Sequence, residues 1–295
     1  MEPVIVIIPV FNRPEYTKVC LDALYSTRHG TAISPIVVNN GSRQKTTKVI
    51  LDWLQRYEGL SEEIKSVVDV PTIITLESNK GFSTAVNSAL RSISNLSDKY
   101  VVILHNDTVV FPGWLGKMLP AFEEDDDVAV VSPRTSYANE MSPCDSDLRK
   151  EFELVKPPNK DRITPEEIET MISGLYGTDR EAFASAYADK AQIEFSYSPE
   201  ISSFCMLTKG AFFSEYGLFD EDFWPRGYED KFWWRPLERN GMITMISNKA
   251  FVWHAGNITS DGPSFSQPQS MLINKEKYDS KCMEIDKNRG ELPKT

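Results

Sequence analysis

The 295-residue chain lacks the glycine-rich signatures of the commonest nucleotide-binding proteins. Where a dinucleotide-binding protein places G-x-G-x-x-G after its first strand, this sequence reads Pro9-Val10-Phe11-Asn12-Arg13-Pro14, and it contains no P-loop. A nucleotide would have to be held by side chains and a metal instead. Long apolar runs are missing too, since none approaches the roughly 18–20 residues that cross a bilayer. The first residues have neither the basic region nor the small-residue cleavage site of a secretory signal, so Val4–Val10 is expected to be a buried strand. No basic amphipathic stretch is evident, and stable membrane insertion is not expected. The four cysteines (Cys20, Cys144, Cys205 and Cys282) are far apart, without metal or redox spacing, and read as reduced thiols of a cytoplasmic protein. Positive charge is in deficit: the net charge is −11, which disfavours broad attachment to DNA or anionic lipid. The acidic run Glu123–Asp127 lacks the alternation of a calcium loop and reads as a solvated turn after a helix.

What is present is a repeating alternation of strand and helix. Val4–Val10 is a continuous apolar, β-branched run, as in a strand covered on both faces. Asn12-Arg13-Pro14-Glu15 looks like a helix start with a polar cap and an early proline. The unit recurs with strands at Ile36–Val38, Thr72–Leu76, Tyr100–Leu104 and Val128–Val131. Helices are expected around Val49–Tyr57, Phe82–Ile93 and Trp114–Phe122. This order predicts an α/β fold with a mostly parallel sheet flanked by helices. Ligands of such sheets bind beyond the carboxyl ends of the strands, so Phe11–Arg13, Asn39–Ser42, Ser78–Gly81 and His105–Thr108 should converge on one crevice. From about Thr135 to Pro199 the pattern breaks into a partly helical insertion, with a helix opening at Thr164-Pro165-Glu166-Glu167 and running through Leu175. Strand character resumes over Ile201–Thr208, followed by helices near Lys209–Tyr216 and Asp230–Arg239. Two strands then follow, near Ile243–Ile246 and Ala250–Trp253. The last 35 or so residues carry little periodicity and are expected to be partly mobile.

Three positions could carry chemistry. Asp107 follows an apolar strand, where a carboxylate can hold Mg2+ or Mn2+ while a diphosphate supplies further ligands, or can simply cap the turn before Phe111-Pro112-Gly113. Glu229 and Asp230 at a helix start either favour the helix dipole or provide a general base for an acceptor hydroxyl. His254, one of three histidines, directly follows another apolar strand and reads as a structural histidine or a metal ligand. In the aromatic stretch from Phe219 to Trp234 most rings are expected in the core. Trp224 is the first candidate for stacking on a sugar or base.

The order of these segments resembles the family-two inverting glycosyltransferases of the GT-A fold, particularly their rhamnosyltransferase-like branch. The resemblance spans roughly residues 3–133 and 201–260. Val6-Ile7-Ile8-Pro9-Val10-Phe11-Asn12-Arg13 is like the family's opening strand and loop, and Val37–Ser42 resembles its V-D-N-G-S segment. Asn79–Asn87 is similar to N-x-G-F-A-x-A-x-N, and Leu104–Thr108 to the L-L-N-x-D-T form of the D-x-D motif. Gly217–Glu221 with Tyr228-Glu229-Asp230 resembles G-x-F-D-E…x-E-D, and His254 falls where the family has a late metal histidine. The resemblance implies a divalent cation (Mn2+ or Mg2+) on Asp107 and His254, Asp230 as catalytic base and Glu229 beside it. It also implies a nucleotide-sugar donor held by Pro9, Phe11, Arg13, Asn39, Asn79, Gly81 and Asn106. The implied reaction is a single inverting displacement onto a hydroxyl of a glycan or lipid-linked saccharide; an acceptor in modified viral-type DNA is the alternative. The implied organisation is a domain over 1–260, with a donor half (1–133), an insertion near the acceptor (135–200) and a catalytic half (201–260), followed by a tail (261–295). Two positions depart from the pattern. Asn39 replaces an aspartate, and His105-Asn106-Asp107 keeps only the last carboxylate of D-x-D. A nucleotidyltransferase would need a glycine-rich, lysine-containing first loop, and a non-catalytic nucleotide- or sugar-binding protein would have lost Asp107, Asp230 or His254. Neither condition is met.

Overall fold

The computed structural model describes residues 2–137, 145–155, 163–199, 202–256 and 267–289. Cys144, Ile201 and parts of the expected insertion and tail lie outside them. The strands are β1 (Val4–Val10), β2 (Ile33–Asn40), β3 (Thr72–Leu76), β4 (Tyr100–Leu104), β5 (Thr108–Val110), β6 (Val128–Arg134), β7 (Phe195–Ser198), β8 (Cys205–Lys209) and β9 (Ile243–His254). The helices are α1 (Pro14–Ser26), α2 (Gln44–Arg56), α3 (Glu62–Lys65), α4 (Phe82–Ser92), α5 (Ala121–Glu124) and α6 (Ser146–Val155). They continue with α7 (Pro165–Tyr176), α8 (Arg180–Lys190), α9 (Gly210–Tyr216), α10 (Glu229–Arg239) and α11 (Gln267–Arg289).

The strands make one sheet in the order β3-β2-β1-β4-β8-β6-β9-β5, with β7 also paired to β9. β1 to β4 run parallel. β8 opposes both β4 and β6, so β6 and β9 run with β1, while β5 and β7 oppose β9. Most strands therefore share one direction, as expected of this α/β fold. Alternation along β1 explains the two layers. Val4, Val6, Ile8 and Val10 join the core that holds Leu24 and Trp53, whereas Ile7 joins the opposite core with Val86, Leu90 and Trp233. With both faces covered, the strand needs no polar residue.

The insertion supplies α6, α7, α8 and β7. Its best-specified element is α7, where Thr164 and Glu167 form a reciprocal capping box and Pro165 opens the first turn. The acidic run Glu123–Asp127 is exposed, with its first two residues closing α5 and the rest following it.

Four expectations are corrected. The apolar spacing of Trp114–Phe122 does not produce a helix; the chain runs through successive turns and only Ala121–Glu124 is helical. The Gly113 and Gly116 amides bond the carbonyls of Arg28 and His29, Pro120 has no amide to give, and the helical-type bonds that form, such as Lys117 to Gly113 and Leu119 to Leu115, are isolated; the apolar side chains are buried all the same. Asn12 does not cap α1. Its side chain accepts from the Arg43 amide, and Arg13 occupies the cap position in a left-handed conformation. The two expected strands near 243 and 250 are one, β9, with an irregular register against β6. Gln267–Arg289 of the tail is a helix. Its register is set by polar ties such as Lys281 to Asp220 and Asp222, a kind of signal apolar periodicity does not report.

Gly30 and Gly116 approach so closely that a Cβ on Gly116 would lie 2.9 Å from the Gly30 Cα, with backbone on both sides. Gly116→Ala is expected to lower stability by about 1–3 kcal/mol through overpacking. Urea unfolding checks this, and an unchanged midpoint would show that the two loops can part at no cost.

Candidate active site

The loops after β1, β2, β3 and β4 are locked to one another before any ligand is considered. The Asn12 amide donates to Ser42 Oγ at 3.0 Å, and Ser42 Oγ donates to the Val10 carbonyl. Asn40, buried at the end of β2, donates to Asn79 Oδ1 and to the Gly81 carbonyl and accepts from the Lys80 amide. Gly41 has φ +66, and a Cβ there would fall 2.2 Å from the Ser78 carbonyl carbon, so only glycine fits between these loops. Phe82 opens α4 and meets the His105 ring edge-on, with ring centroids 5.4 Å apart. The four segments converge on one edge of the sheet.

At that edge β5 pairs with the end of β9, setting Thr108 opposite His254, and the Ala255 amide donates to the Asp107 carbonyl. This pairing brings Asp107 and His254 together from opposite ends of the sequence. His254 Nε2 lies 3.4 Å from Asp107 Oδ1, and His105 Nδ1 lies 3.8 Å from the same oxygen. The His254 ring is held by a bond between Nδ1 and the Tyr137 carbonyl at 2.9 Å and by stacking on Phe204. A carbonyl can only accept, so Nδ1 carries the proton and Nε2 presents a lone pair toward the carboxylate. That buried Nε2 has no hydrogen-bond partner. A lone pair facing a carboxylate oxygen is unfavourable unless a cation lies between them, so the donor set fits a divalent ion. Burial raises the Asp107 carboxyl, but contact with His254 and the charge of Arg226 outweigh it and hold it well below the usual range. Burial pushes His105 down to about 3, so its imidazole is neutral and able to ligate.

His105 was not among the sequence candidates. The available signal was its place at the first position of the D-x-D-like segment, where it had been read only as a lost carboxylate.

Glu229 and Asp230 start α10. Glu229 is 4% exposed, its Oε2 has no hydrogen-bond partner, and burial beside Asp230 pushes its pKa up to about 8. Burial also raises Asp230, while amides of Lys231 (2.8 Å) and Ser203 (3.3 Å) orient its two oxygens. The next residue, Phe204, stacks on His254, and its carbonyl accepts from the His105 amide. Consecutive residues thus touch the carboxylate pair and the histidine–aspartate cluster. The Arg226 guanidinium acts electrostatically on His105, Asp107 and Glu229 alike.

The remaining candidates are placed differently. Pro9 is buried within β1 opposite Val38 and faces no crevice. Phe11 and Arg13 are half-buried on the first loop. Asn39 spends its amide on Thr47 and accepts from Ser42, and Asn79 accepts from Asn40 and from the Gly81 amide. Asn106 is buried and donates to Thr17 on α1. These three asparagines shape the loops from inside. Gly81, at φ +88, passes beneath the half-exposed Trp224, whose ring a Cβ would meet at 2.8 Å.

The sequence pattern of the family described as Glycosyl transferase family 2 matches residues 5–185. No curated protein matches the chain. Among solved structures it is similar to the mannosyltransferase PcManGT from Pyrobaculum calidifontis in complex with GDP-Man and Mn2+, at 17% identity and TM-score 0.50, covering 85% of this chain and 56% of that one. GalNAc-T7 with UDP, GalNAc and Mn2+ is similar at 13% identity and TM-score 0.54, covering 85% and 43%. Residues 1–349 of S. aureus TarS are similar at 15% identity and TM-score 0.51, covering 86% and 60%. This chain therefore spans about half the length of the structures it matches. The shared feature is the fold, a central sheet flanked by helices.

The raised pKa of Glu229 makes a signed prediction. The folded protein binds this proton more tightly than the unfolded chain, so the stability it contributes is complete below 4.5 and lost as the pH rises through about 8. Glu229→Gln mimics the protonated acid, so its stability relative to the native protein should increase between about pH 5.5 and about pH 9. Urea midpoints at the two pH values measure it. A constant difference would mean that Glu229 titrates as an ordinary glutamate.

Proposed function

The chain belongs to glycosyl transferase family 2, and from that premise we propose that it is a metal-assisted inverting enzyme that moves a sugar from a nucleoside-diphosphate donor to an acceptor hydroxyl. The observation that carries this reading is the adjacency of an oriented carboxylate, Asp230, to the His105–Asp107–His254 cluster through Ser203 and Phe204.

In this reading Asp230 takes the proton of the acceptor hydroxyl as that oxygen forms its bond to the anomeric carbon. The bond from that carbon to the diphosphate breaks on the opposite side, which inverts the configuration. Glu229, pushed up to about 8, keeps its own proton near neutral pH, while the amides on both Asp230 oxygens favour the charged form there. The unpartnered Glu229 Oε2 is buried, so Glu229 acts on the acceptor through Asp230. Arg226 offsets negative charge between the carboxylates and the diphosphate. His105, Asp107 and His254 would hold Mn2+ or Mg2+, and such an ion, when bound, neutralises the charge that develops on the leaving diphosphate. Two imidazoles and a single carboxylate favour Mn2+ over Mg2+, which prefers all-oxygen sites. Phe11 and Arg13 face the nucleoside, while Asn39, Asn79, Gly81 and Asn106 fix the loops around it.

A saccharide acceptor is favoured over modified DNA because the net charge of −11 repels a polyanion. The acceptor side is assigned to the insertion (135–200) and to 201–260. Cys20, Cys205 and Cys282 are buried free thiols, in keeping with a cytoplasmic setting. No helix among the described residues is long and apolar enough to cross a membrane.

Two variants test the roles separately. Asp230→Asn is expected to keep Mn2+-dependent thermal stabilisation by UDP or GDP, yet to lower release of the nucleotide during transfer by about 100-fold or more, the usual worth of a general base. Asp107→Ala should lose the Mn2+-dependent part of that stabilisation. Full turnover by Asp230→Asn would remove it as the base, and nucleotide stabilisation that ignores Mn2+ in the native protein would remove the metal.

A further inference from the structure

A second cavity, of about 460 Å³, lies where the insertion meets the sheet. It falls within the range of small-molecule sites, roughly 300–1,000 Å³. Its floor is Arg134 at the end of β6 and Asn248 in β9; its walls are Asp145, Tyr187, Lys190 and Ile193. It is separate from the histidine–aspartate cluster but close in sequence to it, since Tyr137, which bonds His254, follows Arg134 by three residues.

Most of the polar groups here bond one another, which fixes their positions around the cavity. Arg134 donates through Nε and Nη2 to Asn248 Oδ1 at 2.9 and 2.7 Å, which fixes the plane of the guanidinium. Among the described residues no carboxylate lies within ion-pair distance of Arg134 or of Lys190. Asn248 Oδ1 also accepts from Ser196, while its buried Nδ2 has no hydrogen-bond partner. Asp145 Oδ1 accepts from the Asp147 and Leu148 amides, and its Oδ2 accepts from the Tyr187 hydroxyl. The cavity thus offers fixed donors, a fixed acceptor, a phenol and the aliphatic wall of Ile193. The lining carries two cations, Arg134 and Lys190, and two carboxylates, Asp145 and Asp147, the second of which pairs with Lys150.

A near-neutral pocket with rigid donors and acceptors and apolar walls suits a ligand that carries many hydroxyls on an apolar ring. We propose that this cavity is a carbohydrate subsite, which binds a sugar residue of the acceptor away from the hydroxyl that reacts. This rests on the glycosyltransferase reading, and it makes the acceptor an oligosaccharide or glycoconjugate engaged at two points. An anion site would instead need an excess of positive charge, which Asp145 and Asp147 remove.

Saturation-transfer NMR on the full chain with UDP and Mn2+ tests it, using methyl glycosides of glucose, galactose, mannose, rhamnose and N-acetylglucosamine, and inorganic phosphate as a competitor. At least one glycoside should bind. Arg134→Ala should weaken that binding about tenfold, the effect of losing a charged donor. Ile193→Arg, at an exposed rim position that tolerates a charge, should block it without disturbing the core. Asp107→Ala should leave it unchanged. Absence of binding by every glycoside, binding that survives both cavity variants, or displacement of the glycoside by phosphate would each overturn the proposal. Stabilisation by UDP and Mn2+ in the same samples reports independently on the donor site. Glycoside binding without it would leave the subsite standing and the donor reading lost.

Discussion

The arrangement depends on one carboxylate placed where a carboxylate is costly. Asp107 is 4% exposed at the end of the sheet, and an isolated buried charge would take up a proton rather than remain ionised. Contact with His254, and the charge of the Arg226 guanidinium, favour its ionised form. Each imidazole near it needs its own support. His254 is oriented by the Tyr137 carbonyl and the Phe204 ring, and His105 is bounded by Phe82 and by the Phe204 carbonyl. The β5–β9 pairing sets Thr108 opposite His254 and so fixes the spacing of the cluster. The local structure of four loops can be followed outward from this single buried charge.

The same economy appears at the carboxylate pair. Two adjacent acids in one buried place cannot both ionise without mutual cost, and the structure separates their roles by environment. Glu229 is enclosed, with one oxygen unpartnered, while Asp230 has amides on both oxygens. Ser203 and Phe204 join this pair to the histidines, so displacement of one residue pair would disturb both centres.

Much of the fold could be read from the sequence because β1 to β4 are apolar runs followed by helices with clear periodicity. Asp107 and His254 could be picked out as a candidate cation site because titratable residues directly after apolar strands are conspicuous, and the structure brings them together; Glu229 and Asp230 stand out in the same way at a helix start. His105 was missed since it was judged by the charge it lacks rather than by the lone pair it offers. Asn39, Asn79 and Asn106 were read as ligand contacts. The structure gives each of them a partner in a loop or helix as well, a role that a sequence does not display. Trp114–Phe122 misled for a related reason: its apolar spacing reports burial, while backbone bonds to Arg28 and His29, distant in sequence, decide the conformation. For α11 the contacts are long-range, including the hydrogen bond of Asn274 to the Arg226 carbonyl and the ring contact of Tyr278 with Tyr228.

The insertion leaves the sheet from β6 and returns through β7, and both strands are anchored on β9. Its hydrogen bond to the histidine–aspartate cluster is made by the main-chain carbonyl of Tyr137, an atom that any residue can supply. The Tyr137 ring also meets His254 edge-on, so a single residue at the start of the insertion braces the cluster through both its main chain and its side chain, and a shift of the insertion at this point would be felt at the histidine.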